Sequence, residues 1–129
     1  MISFTIHCEP QAKGRPRFGQ GRTYTPQKTK DFENLVALSA LKAGLEKTTS
    51  PLQIKIIAIH KRPKRLMRKK DPKGRIIKDT KPDIDNIVKA VLDGLKGYFD
   101  DKQVHRLIAS KQFCGINELP KIEVTISTH

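Results

Sequence analysis

Between Lys61 and Pro82 the chain carries eleven basic and two acidic residues, a local charge of +9, with Pro63, Pro72 and Gly74 and few apolar side chains. Such a segment cannot bury enough apolar surface to form a layer of a core. The fold must therefore be assembled from the stretches on either side of it, and the segment itself is expected to be an exposed arm or mobile loop ordered by a ligand. The alternative is a solvated, self-repelling linker. Of the formal charge of +13, the other 107 residues carry only +4.

The flanking stretches are periodic. Residues 2–8 alternate at period two and read as a strand, and 9–26 form a long loop rich in Pro, Gly and Arg in which no regular element fits. From about Thr25 to Lys47, Phe32, Leu35, Val36, Leu38, Ala40, Leu41 and Leu45 recur at helical spacing. Residues 52–60 return to strand character, as a central strand partly covered on both faces. After the arm, residues 83–98 read as a second helix, Gln103 to Phe113 as a strand with edge character and room for a bulge, and 121–127 as a final strand. The order β-α-β-α-β-β in 129 residues predicts one small α/β (α+β) domain spanning 1–129, a mixed four-stranded sheet packed by two helices.

Composition narrows the partners. A pI near 10 and 30% charged residues favour nucleic acid over membranes or small molecules. No apolar run approaches a membrane span, and Met1-Ile2-Ser3-Phe4 does not open a secretory signal, so a cytoplasmic location is expected. Cys8 and Cys114 lie far apart in strand-like contexts and are read as reduced core thiols.

Against this basic background, Asp83, Asp85, Asp93, Asp100 and Asp101 place five carboxylates within nineteen residues. A pure binder of polyanions keeps Asp away from phosphates. A divalent cation reverses that logic, because carboxylates bind Mg²⁺ and the ion serves both a phosphate and an attacking water. On the second helix Asp85, Asn86, Lys89, Asp93 and Lys96 share an arc of about 100°, opposite an apolar arc of Ile87, Val88, Val91, Leu92 and Leu95. Asp83 and Asp85 sit at the helix start, and Asp101 is the candidate to be brought back to them by the helix-to-strand turn. Lys89, one turn after Asp85, is placed to stabilise transition-state charge or orient the water, with Asn86 in support. The alternative is a capped helix in which Asp85 and Lys89 form an ordinary i, i+4 pair.

The run Thr80-Lys81-Pro82-Asp83-Ile84-Asp85-Asn86-Ile87-Val88-Lys89, then Leu92-Asp93-Gly94-Leu95, then Asp100-Asp101-Lys102-Gln103-Val104, resembles the RusA family of Holliday junction resolvases, particularly its phage and prophage members. Lys13-Gly14-Arg15-Pro16-Arg17-Phe18 with Arg22-Thr23-Tyr24-Thr25-Pro26 is similar to a phrase common among them, and less specific. The resemblance implies a Mg²⁺-dependent endonuclease, with Mn²⁺ as a substitute, that acts as a homodimer and places paired nicks in four-way DNA junctions during recombination and repair. For such an enzyme the cytoplasmic location becomes a nucleoid-associated one. By position it implies that Asp83, Asp85 and Asp101 are the essential metal-binding acids and Lys89 the essential lysine, with Asp93 and Asp100 supporting.

The expected DNA contacts are Lys13, Arg15, Arg17, Arg22 and Tyr24 in the N-terminal loop and Arg65, Arg68, Lys69 and Lys70 in the arm. Phe18 and Tyr24 either stack on exposed bases or pin the loop to the core. His105 is read as a surface strand residue, and His7, His60 and His129 show no ligand spacing. The competing reading is a non-catalytic basic protein that binds RNA or DNA.

Overall fold

The computed structural model describes residues 1–14, 17–19, 21–24 and 26–128. Strand β1 (Ile2–Ile6) is followed by a hairpin, β2 (Arg17–Gly19) and β3 (Arg22–Tyr24), then helix α1 (Gln27–Lys42) and strand β4 (Leu52–His60). The basic arm contains a 3-10 turn at Lys64–Leu66 and a short strand, β5 (Ile76–Ile77). Helix α2 (Ile84–Gly94), a 3-10 turn at Asp101–Gln103, and strands β6 (Val104–Phe113) and β7 (Lys121–Thr128) complete the chain.

The main sheet has five strands in the order β1-β7-β4-β6-β5, not the four expected, and β2 and β3 pair separately. Two short elements account for the difference. Ile76 and Ile77 pair with Phe113 and Gln112 at the end of β6, and Arg17–Gly19 pairs with Arg22–Tyr24 inside the stretch read as a loop. Both lie in segments dominated by basic residues, Pro and Gly, where no period-two apolar pattern signals a strand.

Among the described strands only β4 and β6 pair in parallel; the remaining pairs are antiparallel. The arm and α2 lie between them in sequence, so β4, α2 and β6 form a crossover unit. Strand β6 carries the expected bulge at its start. Leu52 pairs with Val104 and Gln53 with Arg106, leaving His105 as the inserted residue.

Both helices cover one face of the sheet. Leu52, Ile54 and Ile56 of β4, Ile122, Val124 and Ile126 of β7, and Phe4 and Ile6 of β1 share one core with Phe32, Val36 and Ala40 of α1 and Val88, Ala90 and Val91 of α2. The intervening residues Lys55, Glu123 and Thr125 point to the other face, as a pleat of period two requires.

The helices are shorter than their apolar patterns. Helix α1 ends at Lys42 rather than Lys47, because Gly44 takes a positive φ of 85° and its N–H turns back to Leu41 O. Helix α2 ends at Gly94 rather than near Gly97. A Cβ at Gly94 would lie 2.7 Å from Val36 Cβ, so glycine is what allows α1 and α2 to approach so closely. Tyr98 and Phe99 then fold back, Phe99 into the core and Tyr98 to donate its hydroxyl to Ala37 O at 3.4 Å. Cys114 is buried and Cys8 half-buried, both as free thiols.

Candidate active site

The parallel pair gives the molecule two distinct ends. Its carboxyl end, at His60 and Phe113, receives the arm and the start of α2. Its amino end, at Leu52 and Val104, receives the chain leaving α2, where Thr48 N–H donates to Tyr98 O at 3.0 Å and Gln103 Nε2 donates to Thr48 O at 2.9 Å and Ser50 O at 3.0 Å. Ligands of α/β sheets characteristically bind outside the carboxyl ends of parallel strands.

At that end Asp83 is the N-cap of α2, with extended backbone, and Asp85 lies in the first turn. Pro82 precedes them across a cis Lys81–Pro82 bond. Lys111 of β6 holds this approach in place, its Nζ donating to Thr80 O at 2.6 Å and Pro82 O at 2.7 Å. Among the described residues neither the Asp83 nor the Asp85 side chain makes a hydrogen bond or ion pair. Asp83 does not cap its own helix, and both are exposed, as are Asn86 and Lys89. Asp85 and Lys89 do not form the i, i+4 pair that a purely structural role predicts.

The far half of the polar face is different. Asp93 is nearly buried, 2.9 Å from Lys13 Nζ and 3.2 Å from Lys96 Nζ. Burial pushes its carboxyl up, but the hydrogen bonds from Lys13 and Lys96 outweigh it and hold it below the ordinary carboxylate range. Lys13 also binds Glu33 Oε2 at 2.8 Å, and its backbone N–H donates to Asn86 O at 3.0 Å. The hydrogen bond to Glu33, then those to Asp93, raise the Lys13 ammonium against its partial burial. Lys13, expected to contact DNA, thus ties the N-terminal segment to both helices.

Asp100 and Asp101 lie beyond the other end of α2. Asp100 N–H donates to Gln103 Oε1 at 2.7 Å, which shapes the turn into β6, and Asp101 is exposed. The expected convergence of Asp83, Asp85 and Asp101 is therefore not found within one chain. Helix α2, eleven residues long, spans about 16 Å between the two acidic sites. The seven steps of β6 from Val104 to Lys111 span about 23 Å. Among the described residues no three His, Cys, Asp or Glu side chains lie close enough to hold a metal ion together.

Of the other expected DNA contacts, Arg15 lies outside the described residues, and Arg17, Arg22 and Tyr24 are described as backbone in the hairpin. Arg65, Arg68, Lys69 and Lys70 are exposed on the arm, Arg68 held 3.3 Å from Asp71. The residue that orders this arm gave no sign in the sequence. Arg62 is buried, and its guanidinium donates to Leu66 O at 2.8 Å, Gly74 O at 3.0 Å, Cys114 O at 3.4 Å and Pro72 O. Arg75 closes the far side on Glu118 at 2.7 Å and Glu123 at 3.3 Å. The hydrogen bond from Arg75 is the main reason the Glu118 carboxyl is lowered to about 2.

His60 and Lys111 were also missed. His60 is buried beside Glu9, its Nδ1 3.4 Å from Glu9 Oε1, and its Nε2 has no partner among the described residues. Burial, then the charges of Lys78 and Lys111, lower it to about 4, so it is neutral at pH 7. Lys111 had a legible signal: it falls on the helix-facing phase of β6, with Leu107, Ala109 and Phe113, where a lysine needs buried acceptors.

The family described as Endodeoxyribonuclease RusA matches residues 7–127, nearly the whole chain. The chain belongs to the RusA family. It is also 37% identical to YqaN of Bacillus subtilis (strain 168), described as an uncharacterized protein, over 97% of this chain and 94% of that one. RusA membership makes the chain one of a family of endodeoxyribonucleases and favours the enzyme over the non-catalytic binder. The acids quoted for the resemblance all lie inside the matched region. No helix among the described residues is long and apolar enough to cross a membrane.

Proposed function

We propose that this RusA protein is a divalent-metal-dependent endonuclease that resolves four-way DNA junctions in recombination and repair, with Asp83 and Asp85 at the heart of the site. The observation that carries the reading is the bare acidic pair. In a chain of charge +13, two adjacent carboxylates at the carboxyl end of a parallel strand pair have no cationic partner among the described residues, while Asp93 on the same helix has two. Carboxylates left unpaired in so positive a field fit a cation that arrives from solution.

The donor set suits Mg²⁺, which takes one or two carboxylates and completes its shell with water and substrate phosphate. Asp83 and Asp85 would hold it, and Mn²⁺ accepts the same oxygen donors. Once bound, the ion would polarise the scissile phosphate and lower the pKa of a water. The protein's own contribution is positional. Lys111 fixes the backbone before Asp83, and the α2 N-terminus directs its free N–H groups and positive dipole end toward this region, favouring phosphate. Lys89, one turn along, supplies a positive charge for the phosphoryl oxygens as negative charge develops. The arm delivers Arg65, Lys69 and Lys70 to the flanking phosphates.

The test is cleavage of a synthetic four-way junction in Mg²⁺. Wild type is expected to cut, with Asp85→Asn losing at least about 10³-fold in rate while binding the junction as tightly or more so. A wild-type protein that binds junctions but never cuts them in Mg²⁺ or Mn²⁺ would leave only the binding role.

A further inference from the structure

Lys78 and Lys111 bring two ammonium groups to one residue. Lys78 Nζ donates to Thr80 Oγ1 at 2.8 Å and lies 4.6 Å from the centre of the Phe113 ring. Lys111 Nζ donates to Thr80 O at 2.6 Å and to Pro82 O at 2.7 Å. Both residues are half-buried, and among the described residues neither forms an ion pair. Lys13 and Arg75, by contrast, each hold two carboxylates. Burial, then the charge of Lys111, lowers the Lys78 ammonium, and the weaker pulls of Glu9 and Asp79 do not offset them.

An ammonium group has three N–H donors. Lys111 uses two on carbonyls and Lys78 one on a hydroxyl, so each keeps an N–H for a further acceptor. His60 lies beside them. It continues the helix-facing phase of Ile54 and Ile56 along β4 and pairs with Phe113. Its Nδ1 faces Glu9, its buried Nε2 has no partner among the described residues, and the charges that act on it are those of Lys78 and Lys111. Buried polar atoms normally find partners. Spare donors, uncompensated positive charge and an unpartnered buried nitrogen thus meet at the carboxyl end of the parallel pair.

We propose that Lys78 and Lys111 form a phosphate pocket, walled by His60 and Phe113, that takes one backbone phosphate of the DNA strand beside Asp83 and Asp85. The pocket deepens the endonuclease reading and rests on it for the identity of the strand. A phosphate offers separate oxygens to the two ammonium groups, and hydrogen bonds between ions of opposite charge are the strong ones. Thr80 fixes the spacing of the pair in advance, so little ordering remains to be done on binding. Because Lys111 also holds Pro82 O, the bound phosphate lies against the backbone that leads into Asp83. It is therefore a neighbour of the phosphate to be cut and sets the register in which the strand reaches the acids. Arg65, Lys69 and Lys70, exposed on the arm, attract the strand; Lys78 and Lys111 place it.

Binding of a synthetic four-way junction in EDTA reads the pocket without any cutting. Lys78→Gln should weaken binding about tenfold at low salt and flatten the salt slope by about 0.9, the share of one phosphate, while Lys78→Arg stays close to wild type. Neutral methylphosphonates placed singly along a strand should reveal one position where wild type loses the same tenfold and Lys78→Gln loses nothing more. Losses that add at every position, or a Lys78→Gln protein that binds as wild type does, would overturn the pocket. Since no step needs cleavage, a wild type that never cuts would remove the endonuclease reading and leave this result standing.

Inorganic phosphate gives a second measurement on the protein alone. Compared with chloride at equal ionic strength, it should raise the melting temperature of wild type clearly more than that of Lys78→Gln. Equal rises in the two proteins would overturn the pocket. A rise confined to wild type, with junction affinity the same in both, would mean an adventitious ion only and would overturn the assignment to DNA.

Discussion

The polar face of α2 and the basic arm before it carry opposite charge, yet each divides in the same way. On α2, Asp93 is held by Lys13 and Lys96, while Asp83, Asp85 and Lys89 have no partners among the described residues. On the arm, Arg62 is buried against four backbone carbonyls, while Arg65, Lys69 and Lys70 are exposed. Some charged residues in each region are used for folding, Asp93 on the helix and Arg62 and Arg75 on the arm, while others of the same charge are left to the solvent. Charge alone does not reveal which is which; burial and partner geometry do. The untied acids lie at the carboxyl end of the parallel pair, the end from which the arm leaves β4.

Arg62→Met breaks this division most severely. It leaves the carbonyls of Leu66, Pro72, Gly74 and Cys114 without their shared donor, at a cost of about 2–4 kcal/mol. Urea denaturation should show that loss, and limited proteolysis should cut the arm between Lys64 and Lys73 well before the rest of the chain. If the variant is as stable and as resistant as wild type, Arg62 is not what organises the arm.

Asp93→Asn should be the smaller counterpart on the helix. It removes a nearly buried carboxylate from between two ammonium groups, a loss of about 1–2 kcal/mol, while Asp85→Asn leaves stability unchanged. The folded Asp93 carboxyl lies below its ordinary value of 3.8, so its contribution is present above that pH and is lost as the pH falls through the lower folded value. The stability gap between Asp93→Asn and wild type should therefore close in acid. Cutting rates at saturating Mg²⁺ should order the two variants the other way, with Asp85→Asn inactive and Asp93→Asn close to wild type. Equal destabilisation by both substitutions would erase the distinction between the two halves of the face.

Much of this could be read before the structure. The alternation in Leu52 to His60, with no Gly or Pro, fixed β4 to the residue, and the opposed arcs on α2 named its buried and exposed sides. Local periodicity reports local structure, and there it succeeded. It failed where long-range contact decides. Residue 94 is a glycine because α1 passes close by, β5 pairs where β6 offers it an edge, and Arg62 is buried among carbonyls that include those of Gly74 and the distant Cys114. The same limit applies to the acidic site. Asp83 and Asp85 are neighbours in sequence and stay together, whereas Asp101 shares their residue type but returns to the opposite end of the crossover, a consequence of topology that no spacing rule contains. Lys13, expected from its charge to contact DNA, bridges the two helices through Glu33 and Asp93, a contact that charge alone does not reveal.

The smallest effect on stability should come from the untied cations of the arm. Replacing Arg65, Arg68, Lys69 and Lys70 by Gln removes no buried group and only the exposed Arg68–Asp71 pair, so the melting temperature should hardly move. Junction affinity should fall steeply at low salt. If all four side chains meet phosphates, the slope of log affinity against log salt should flatten by up to about 3.6, close to 0.9 for each phosphate no longer neutralised. The paired result makes the comparison sharp, because Arg62→Met should weaken binding by disordering the arm and lowering stability together. A quadruple variant with an unchanged salt slope would mean that the arm is solvated rather than bound, and the phosphate contacts would then have to come from the α2 N-terminus and the N-terminal segment.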